Sequence, residues 1–251
     1  MSVAKTSAEP ADGVPQLALD WGRYGVTAGI TTRQGGYSLG LWTPDPSDQV
    51  MARWRAFRER FTPQFPTVVH GRQVHGDVVR WYENLPPGWL IVEGVDGHAT
   101  GQPGVLLTVT VADCVPVYLV APDRGVIALL HAGWRGVAGG MLERGIASLG
   151  RHGVAPADIV MHGGVSICGA CYEVGYEVAE QLTGRPHTAA TKVDLRALLA
   201  DRARVLGIRE VSISPHCTAH EPEQFHSHRR SGGRDGRMIA FLGVPLRLDN
   251  S

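Results

Sequence analysis

The 251-residue chain predicts an α/β fold of the α+β type, a single-domain layered sandwich whose mixed central β-sheet is covered by helices. Three observations carry that expectation. Residues 105–112 (VLLTVTVA), 115–120 (VPVYLV) and 126–133 (VIALLHAG) are near-continuous apolar and β-branched runs, the pattern of strands buried on both faces. Behind them, VAGGMLERGIASLGRHG places Val137, Met141, Leu142, Ile146 and Leu149 at helical spacing and stops at Gly150 and Gly153. The alternation of strand and helix patterns then continues to the C-terminus without a linker, which argues for one compact unit.

In chain order, MSVAKTSAEPADGVPQ is polar and has no apolar segment, so residues 1–16 are expected to form a loose lead and residues 17–251 the domain. The Pro- and Gly-rich clusters near 43–48 and 84–88 read as surface loops. The runs at 105–112 and 115–120 follow as central strands of the sheet, and the PDRG turn at 122–125 returns the chain into the run at 126–133. HAGWRG is the Gly-rich turn into the first clear helix. After it, DIVMHGGVS reads as a strand, YEVGYEVAEQLTG and DLRALLADRARVLGI as helices, and EVSISPHCT and RMIAFLGVPLRL as late strands.

Composition narrows the function. Lys and Arg number 24 and Asp and Glu number 24, so no net field draws the chain to a nucleic-acid backbone or an anionic membrane. Small-molecule chemistry is favoured. Asp113, Asp123 and Arg124 interrupt the apolar stretch around Cys114 before it reaches membrane-spanning length. The four cysteines, Cys114, Cys168, Cys171 and Cys217, are too few for a disulfide-stapled secreted fold and suit reduced thiols in a cytoplasm. A cytoplasmic, soluble protein is expected.

Candidate metal ligands at strand ends or beside glycines are His70, His75, Cys114, His131, His162, His216, Cys217, His226 and His228. A catalytic zinc takes three protein ligands and keeps a fourth position for water or substrate, and a thiolate with two imidazoles satisfies it. Asp113, beside Cys114, reads equally as a catalytic or ligand-orienting carboxylate and as a turn cap. Arg135, in the turn opening a helix, is placed to meet an anion or to pack over Trp134. Cys168 and Cys171 form a Cys-x-x-Cys, but no second such pair completes a structural zinc site and no thioredoxin-like context surrounds them; they read as packing residues. Gly36-Tyr37-Ser38-Leu39-Gly40 matches the hydrolase elbow G-x-S-x-G formally, but TPDPSD is not expected to begin a helix soon enough after it. No His is followed by Glu two residues later, so the cytidine-type zinc deaminase signature is absent.

RQVHG (72–76), VDGHAT (95–100), ADCVPV (112–117), HAGWRG (131–136), YEVG (172–175), CT (217–218), FHSHRR (225–230) and GRM (236–238) occur in this order. Together they resemble a family first described as polyphenol oxidase or laccase-domain proteins and later as zinc-dependent purine nucleoside phosphorylases, which includes the peptidoglycan editing factor. The resemblance runs from about residue 26 to residue 244. It implies a zinc ion on His75, Cys114 and His131. His70 lacks the Gln-Val context of His75 and becomes a residue of the pocket wall or one that supports the site from behind. TTRQGGYSLG (31–40) is similar to the family's Arg-x-Gly-Gly-x-Ser segment and makes Arg33 and Ser38 phosphate or substrate contacts, although LWTPDPS replaces the usual Ser-Leu-Asn stretch. His226, Arg229 and Arg230 of FHSHRR would face the same site. The implied activity is phosphorolysis of adenosine, inosine, guanosine and methylthioadenosine, with adenosine deamination. Purine nucleosides and phosphate are then the partners, and no nucleic acid or membrane is involved. The alternatives are a copper (Cu2+) polyphenol oxidase and an amidase that edits cell-wall precursors at the same zinc site.

Overall fold

In the computed structural model, which describes residues 14–247, the chain passes repeatedly between two six-stranded sheets. The first half contributes β1 (Gln16–Ala18), β2 (Thr27–Thr31), α1 (Ser47–Phe61), β3 (Thr67–Arg72), β4 (Val79–Tyr82), β5 (Gly88–Glu93), β6 (Gly97–Thr100), β7 (Val105–Val111), β8 (Val115–Ala121) and β9 (Val126–Ala132). The second contributes α2 (Trp134–Gly139), α3 (Met141–Gly150), β10 (Val160–Gly163), β11 (Glu173–Val174), α4 (Tyr176–Thr183), β12 (Thr191–Lys192), α5 (Leu195–Val205), β13 (Glu210–Ile213), α6 (His228–Ser231) and β14 (Met238–Gly243). Sheet one has the order β1-β2-β14-β7-β3-β5, with β7, β3 and β5 mutually parallel and the other pairs antiparallel. Sheet two has the order β13-β10-β8-β9-β6-β4 and is parallel only in its two outer pairs.

The apolar runs are continuous because their strands are covered twice. Tyr118 and Val120 of β8, Ile127 and Leu129 of β9, and Leu107 and Val109 of β7 fill the layer between the sheets. The alternate residues of sheet two, among them Leu119 and Leu130, face Met141, Leu142 and Ile146 of α3 and Leu199 of α5. On the far side, Leu106, Ile239 and Phe241 of sheet one pack on Trp54, Phe57 and Phe61 of α1. The result is a helix, sheet, sheet, helix sandwich. Truncating a fully buried leucine such as Leu107 or Leu119 to Ala in such a core costs about 2–5 kcal/mol.

The α+β layered domain is as expected, but its sheet is doubled. The runs 105–112 and 115–120 do not neighbour one another: β7 belongs to sheet one and β8 to sheet two. Between them Asp113 adopts φ 87, which turns the chain out of one layer into the other. The PDPSD stretch is not all loop, since Ser47 opens α1, whose Val50, Trp54, Phe57 and Phe61 form one buried stripe. Only Tyr176–Thr183 of the segment read as a helix from Tyr172 is helical, because Glu173 and Val174 pair with Lys192 and Thr191. Val14 is fully buried and β1 starts at Gln16, so packed chain begins inside the expected lead; residues 1–13 lie outside the described residues. Among the described residues, no helix is long and apolar enough to cross a membrane.

One consequence of the topology positions the site. Because β3, β5 and β7 are parallel neighbours, their C-terminal ends lie along one edge of sheet one. Each is followed by a crossing into sheet two, at β4, β6 and β8 respectively.

Candidate active site

Each crossing delivers one polar side chain to that edge: His75 between β3 and β4, Asp96 between β5 and β6, and Cys114 between β7 and β8. β9 lies antiparallel between β6 and β8 and ends at the same place, with Leu130 opposite Gly97 and His131 opposite Pro116. The donor atoms of His75, Cys114 and His131 all fall within 4.8 Å of one another. The two imidazole rings stand edge to face, 4.9 Å apart at 78°.

Asp96, completely buried, organises the cluster from behind. Its Oδ1 accepts hydrogen bonds from His131 Nδ1 (2.8 Å) and His75 N (2.9 Å), and its Oδ2 from Val74 N (3.0 Å) and Gly76 N (3.1 Å). With the proton of His131 held on Nδ1, Nε2 is the ring nitrogen left for a metal. The three consecutive amides form a nest around the carboxylate and hold His75 at φ 60, a left-handed conformation that a non-glycine residue keeps only when its surroundings enforce it. Gln73 braces the same loop, donating from Nε2 to Thr110 O (2.9 Å) and accepting at Oε1 from Thr110 N (2.7 Å). Gly133 packs closely on the cluster: a Cβ there would stand 3.0 Å from Cys114 Sγ and 3.3 Å from His75 Cδ2, tight enough that both side chains would have to give by a few tenths of an ångström.

The electrostatics suit a soft cation. Burial pushes the Cys114 thiol up, but His131 and His75 outweigh it and hold the thiol down at about 6. Burial likewise pulls His131 down, and the Cys114 and Asp96 charges and hydrogen bonds overcome it, raising the imidazole to about 9. For Asp96, burial is again outweighed, by the His131 hydrogen bond and the Val74 and Gly76 amides, and the carboxyl stays below its ordinary range. A thiolate, two imidazoles and a carboxylate braced behind one of them match the donor set of an open zinc site.

The cluster opens into a cavity of about 500 Å³ whose walls include Trp42, Trp134 and Tyr172 and whose rim carries Arg135, Arg229, Arg237 and His228. The Arg135 guanidinium lies 4.4 Å over the Trp134 ring, and that of Arg229 lies 5.0 Å over Tyr172 while donating to Glu173 O at 2.7 Å. Asp113 lines the same cavity with both oxygens engaged: Oδ1 accepts from Thr218 Oγ1 (2.5 Å) and Oδ2 from Arg229 N (2.6 Å).

The structure therefore brings His75, Cys114, His131, Asp113, Arg135 and Arg229 together around one space. It gathers Arg33, Ser38, His226 and Arg230 elsewhere, and none of the four lines the cavity. His226 pairs through Nδ1 with Asp235 Oδ1 (2.6 Å) and through Nε2 with Tyr37 O (2.9 Å), while Arg33 and Arg230 each approach Asp235 Oδ2 at 3.4 Å. Ser38 Oγ donates to Asp45 Oδ2 (2.6 Å) and accepts from Arg237 N (3.0 Å), so this group forms the ledge from which Arg237 reaches the rim. Of the two places expected for His70, the wall and the support behind it, the structure has the second: His70 does not line the cavity but stacks behind Trp42, which does. It is completely buried, with its ring stacked 5.7 Å from that of Trp42, and Nδ1 pairs with Thr108 Oγ1 at 2.9 Å. Of the remaining candidates, His162 pairs with Ser212 Oγ (2.9 Å) and His216 with Glu221 Oε2 (2.8 Å), both outside the cavity. Sequence reasoning passed over Asp96, Tyr172 and Arg237, although each stands inside a motif it quoted: VDGHAT, YEVG and GRM.

Fold and cluster define a class that the comparisons identify. The profile of the family described as multi-copper polyphenol oxidoreductase laccase matches residues 27–245, and the chain belongs to this family. It is 34% identical over 249 residues to the purine nucleoside phosphorylase YlmD of Geobacillus stearothermophilus, spanning 87% of this chain and 90% of that protein. It is 36% identical over 168 residues to adenosine deaminase RL5 of an unknown prokaryotic organism, spanning 61% of this chain and 63% of the relative. The crystal structure of YlmD from Geobacillus stearothermophilus is similar with a TM-score of 0.87 and 31% identity, over 96% of this chain and 98% of that one.

Proposed function

We propose that this protein is a zinc-dependent purine nucleoside phosphorylase acting on adenosine, inosine, guanosine and methylthioadenosine, and that the same cavity deaminates adenosine. The observation that carries this reading is one cavity in which aromatic walls, three arginines and an open His-Cys-His donor set meet. The relatives named purine nucleoside phosphorylase support it, and RL5, named an adenosine deaminase, favours the second activity.

In phosphorolysis the bond from purine nitrogen to anomeric carbon breaks while a phosphate oxygen bonds that carbon, giving free base and sugar 1-phosphate. Positive charge develops on the sugar, so an anion fixed beside it stabilises the transition state. Arg135, Arg229 and Arg237 supply the cations for that anion, and Trp42, Trp134 and Tyr172 supply flat faces for the purine. Asp113 works at one remove: by holding the Arg229 amide and the Thr218 hydroxyl it positions the cationic rim. His75, Cys114 and His131 would hold the zinc, which supplies Lewis-acid polarisation of an oxygen in the cavity when bound. Asp96 keeps the His131 proton on Nδ1 and so keeps Nε2 available.

The copper-oxidase reading suggested by the family's description has less support. Among the described residues, two groups of three or more donors gather, and neither has the run of clustered histidines a multicopper centre uses. Zinc suits the thiolate-imidazole set, and the four free thiols suit a reducing cytoplasm. The test is chromatography of inosine incubated with zinc-loaded protein, with and without phosphate. Hypoxanthine is expected only with phosphate; its absence under both conditions overturns the proposal, and equal release without phosphate replaces phosphorolysis by hydrolysis.

A further inference from the structure

A second set of donors lies outside the cavity. Cys168, Cys171, Cys217 and His220 each place a donor atom within 4.8 Å of the others. Cys171 Sγ lies 3.0 Å from His220 Nε2, Cys168 Sγ lies 3.8 Å from His220 Nδ1, and Cys168 N donates to Cys217 Sγ at 3.3 Å. In sequence these are a Cys-x-x-Cys and a Cys-x-x-His, each wound into a tight turn by Cys171 N→Cys168 O (3.0 Å) and His220 N→Cys217 O (3.2 Å). No second Cys-x-x-Cys exists, as expected from the sequence, but the Cys-x-x-His of Cys217 and His220 stands where one would. A parallel bridge between Ser166 and Cys217, with Thr218 N donating to Ser166 O at 3.2 Å, sets the two turns face to face.

We propose that Cys168, Cys171, Cys217 and His220 bind a second metal ion, zinc, in a closed tetrahedral site that clips the 166–172 loop to the 217–221 loop. Three thiolates and one imidazole complete a four-coordinate shell and leave no position for substrate, which is the composition of a structural zinc site. Zinc–sulfur bonds of about 2.3 Å and zinc–nitrogen bonds of about 2.0 Å in a tetrahedron separate ligand atoms by roughly 3.4–3.8 Å. With His220 offering one ring nitrogen, the 3.0 Å Cys171 Sγ–Nε2 separation and the 4.8 Å limit on the whole set bracket that range, so side-chain adjustments bring the four donors onto one ion. Soft thiolates select zinc over oxygen-seeking cations, and the thiol protons leave to solvent on binding. Cys168 and Cys171 are half-buried and His220 is exposed, so an ion reaches the site without unfolding the chain.

The clip has a structural consequence for the cavity. Ile167 and Tyr172, which flank the first turn, line it, and Thr218 in the second turn holds Asp113. The ion therefore fixes one cavity wall whatever reaction the cavity performs, and the inference stands apart from the proposed activity.

Metal analysis of the full chain, purified under reducing conditions and loaded with zinc, tests it. Wild type is expected to hold two zinc equivalents, Cys114→Ala one, and Cys171→Ser one. Because Cys171→Ser removes part of a fold element, Cys114→Ala substituted with cobalt(II) provides a second readout: the retained ion should show the intense thiolate-to-cobalt absorption of a three-sulfur tetrahedral site. A single equivalent in wild type that disappears in Cys114→Ala overturns the proposal. So does peptide mapping that finds a disulfide among Cys168, Cys171 and Cys217, or a second equivalent that is iron.

Discussion

The molecule carries two clusters of cysteine and histidine that differ in what surrounds them. His75, Cys114 and His131 come from three separate strand ends, with Asp96 behind them and a cavity in front. Cys168, Cys171, Cys217 and His220 come from two tight turns joined by a backbone bridge and present four donors outside that cavity. Three donors before a cavity leave a coordination position for chemistry; four donors on paired turns leave none. The difference lies in donor count and in the neighbouring space rather than in ligand type.

The comparison is broken most sharply at His131. His131→Ala removes one of the three proposed ligands and the partner of Asp96, and base release is expected to fall by more than about a hundredfold, beyond the range set by loss of a supporting residue. Metal analysis of that variant should still find zinc at the four-donor cluster. Asp96→Asn leaves the ligands present but disturbs the His131 tautomer and the nest, and a drop of about 10–100-fold in cavity zinc affinity is expected from chelator competition.

The buried support of the cavity predicts a pH effect. Burial, followed by the nearby His98 charge, holds His70 down at about 3, whereas an unfolded chain titrates near 6.5. Below pH 6.5 the unfolded state takes up a proton that the folded state refuses, so stability present above that pH is lost progressively toward pH 3. By pH 5 the loss is on the order of 2 kcal/mol from this one group. Denaturant melts at pH 7 and pH 5 should show His70→Gln losing less than wild type by about that amount. Smaller still, Arg135→Ala is expected to raise the phosphate KM by about tenfold with zinc content unchanged, consistent with loss of one charged hydrogen bond.

Much of the second half of the fold is legible in the sequence, because runs such as VPVYLV and the Met141–Leu149 stripe are long and strongly patterned. The split into two sheets is not, since period-2 alternation says that a strand is covered and not which sheet it joins. Asp113 in left-handed conformation marks the crossing, and an Asp after an apolar run reads only as a turn. α1 is hidden by its Pro-rich entry and by the arginines interleaved with its apolar stripe. At the site, residue chemistry made His75, Cys114 and His131 candidates among many, and the family resemblance singled them out. Arg33, Ser38, His226 and Arg230 share motifs with the cavity but turn to Asp235 and Asp45, a direction no spacing reveals. The four-donor cluster is not legible as a Cys-x-x-Cys pair of pairs, because its second turn carries His220 in place of a cysteine.

The central claim is that the three-donor cluster, and not the four-donor one, carries out the reaction. It is tested most directly by measuring hypoxanthine and ribose 1-phosphate formed from inosine and phosphate by wild type and by Cys114→Ala, both loaded with zinc. Equimolar products from wild type and none above background from the variant are predicted; equal product from the variant would contradict the account.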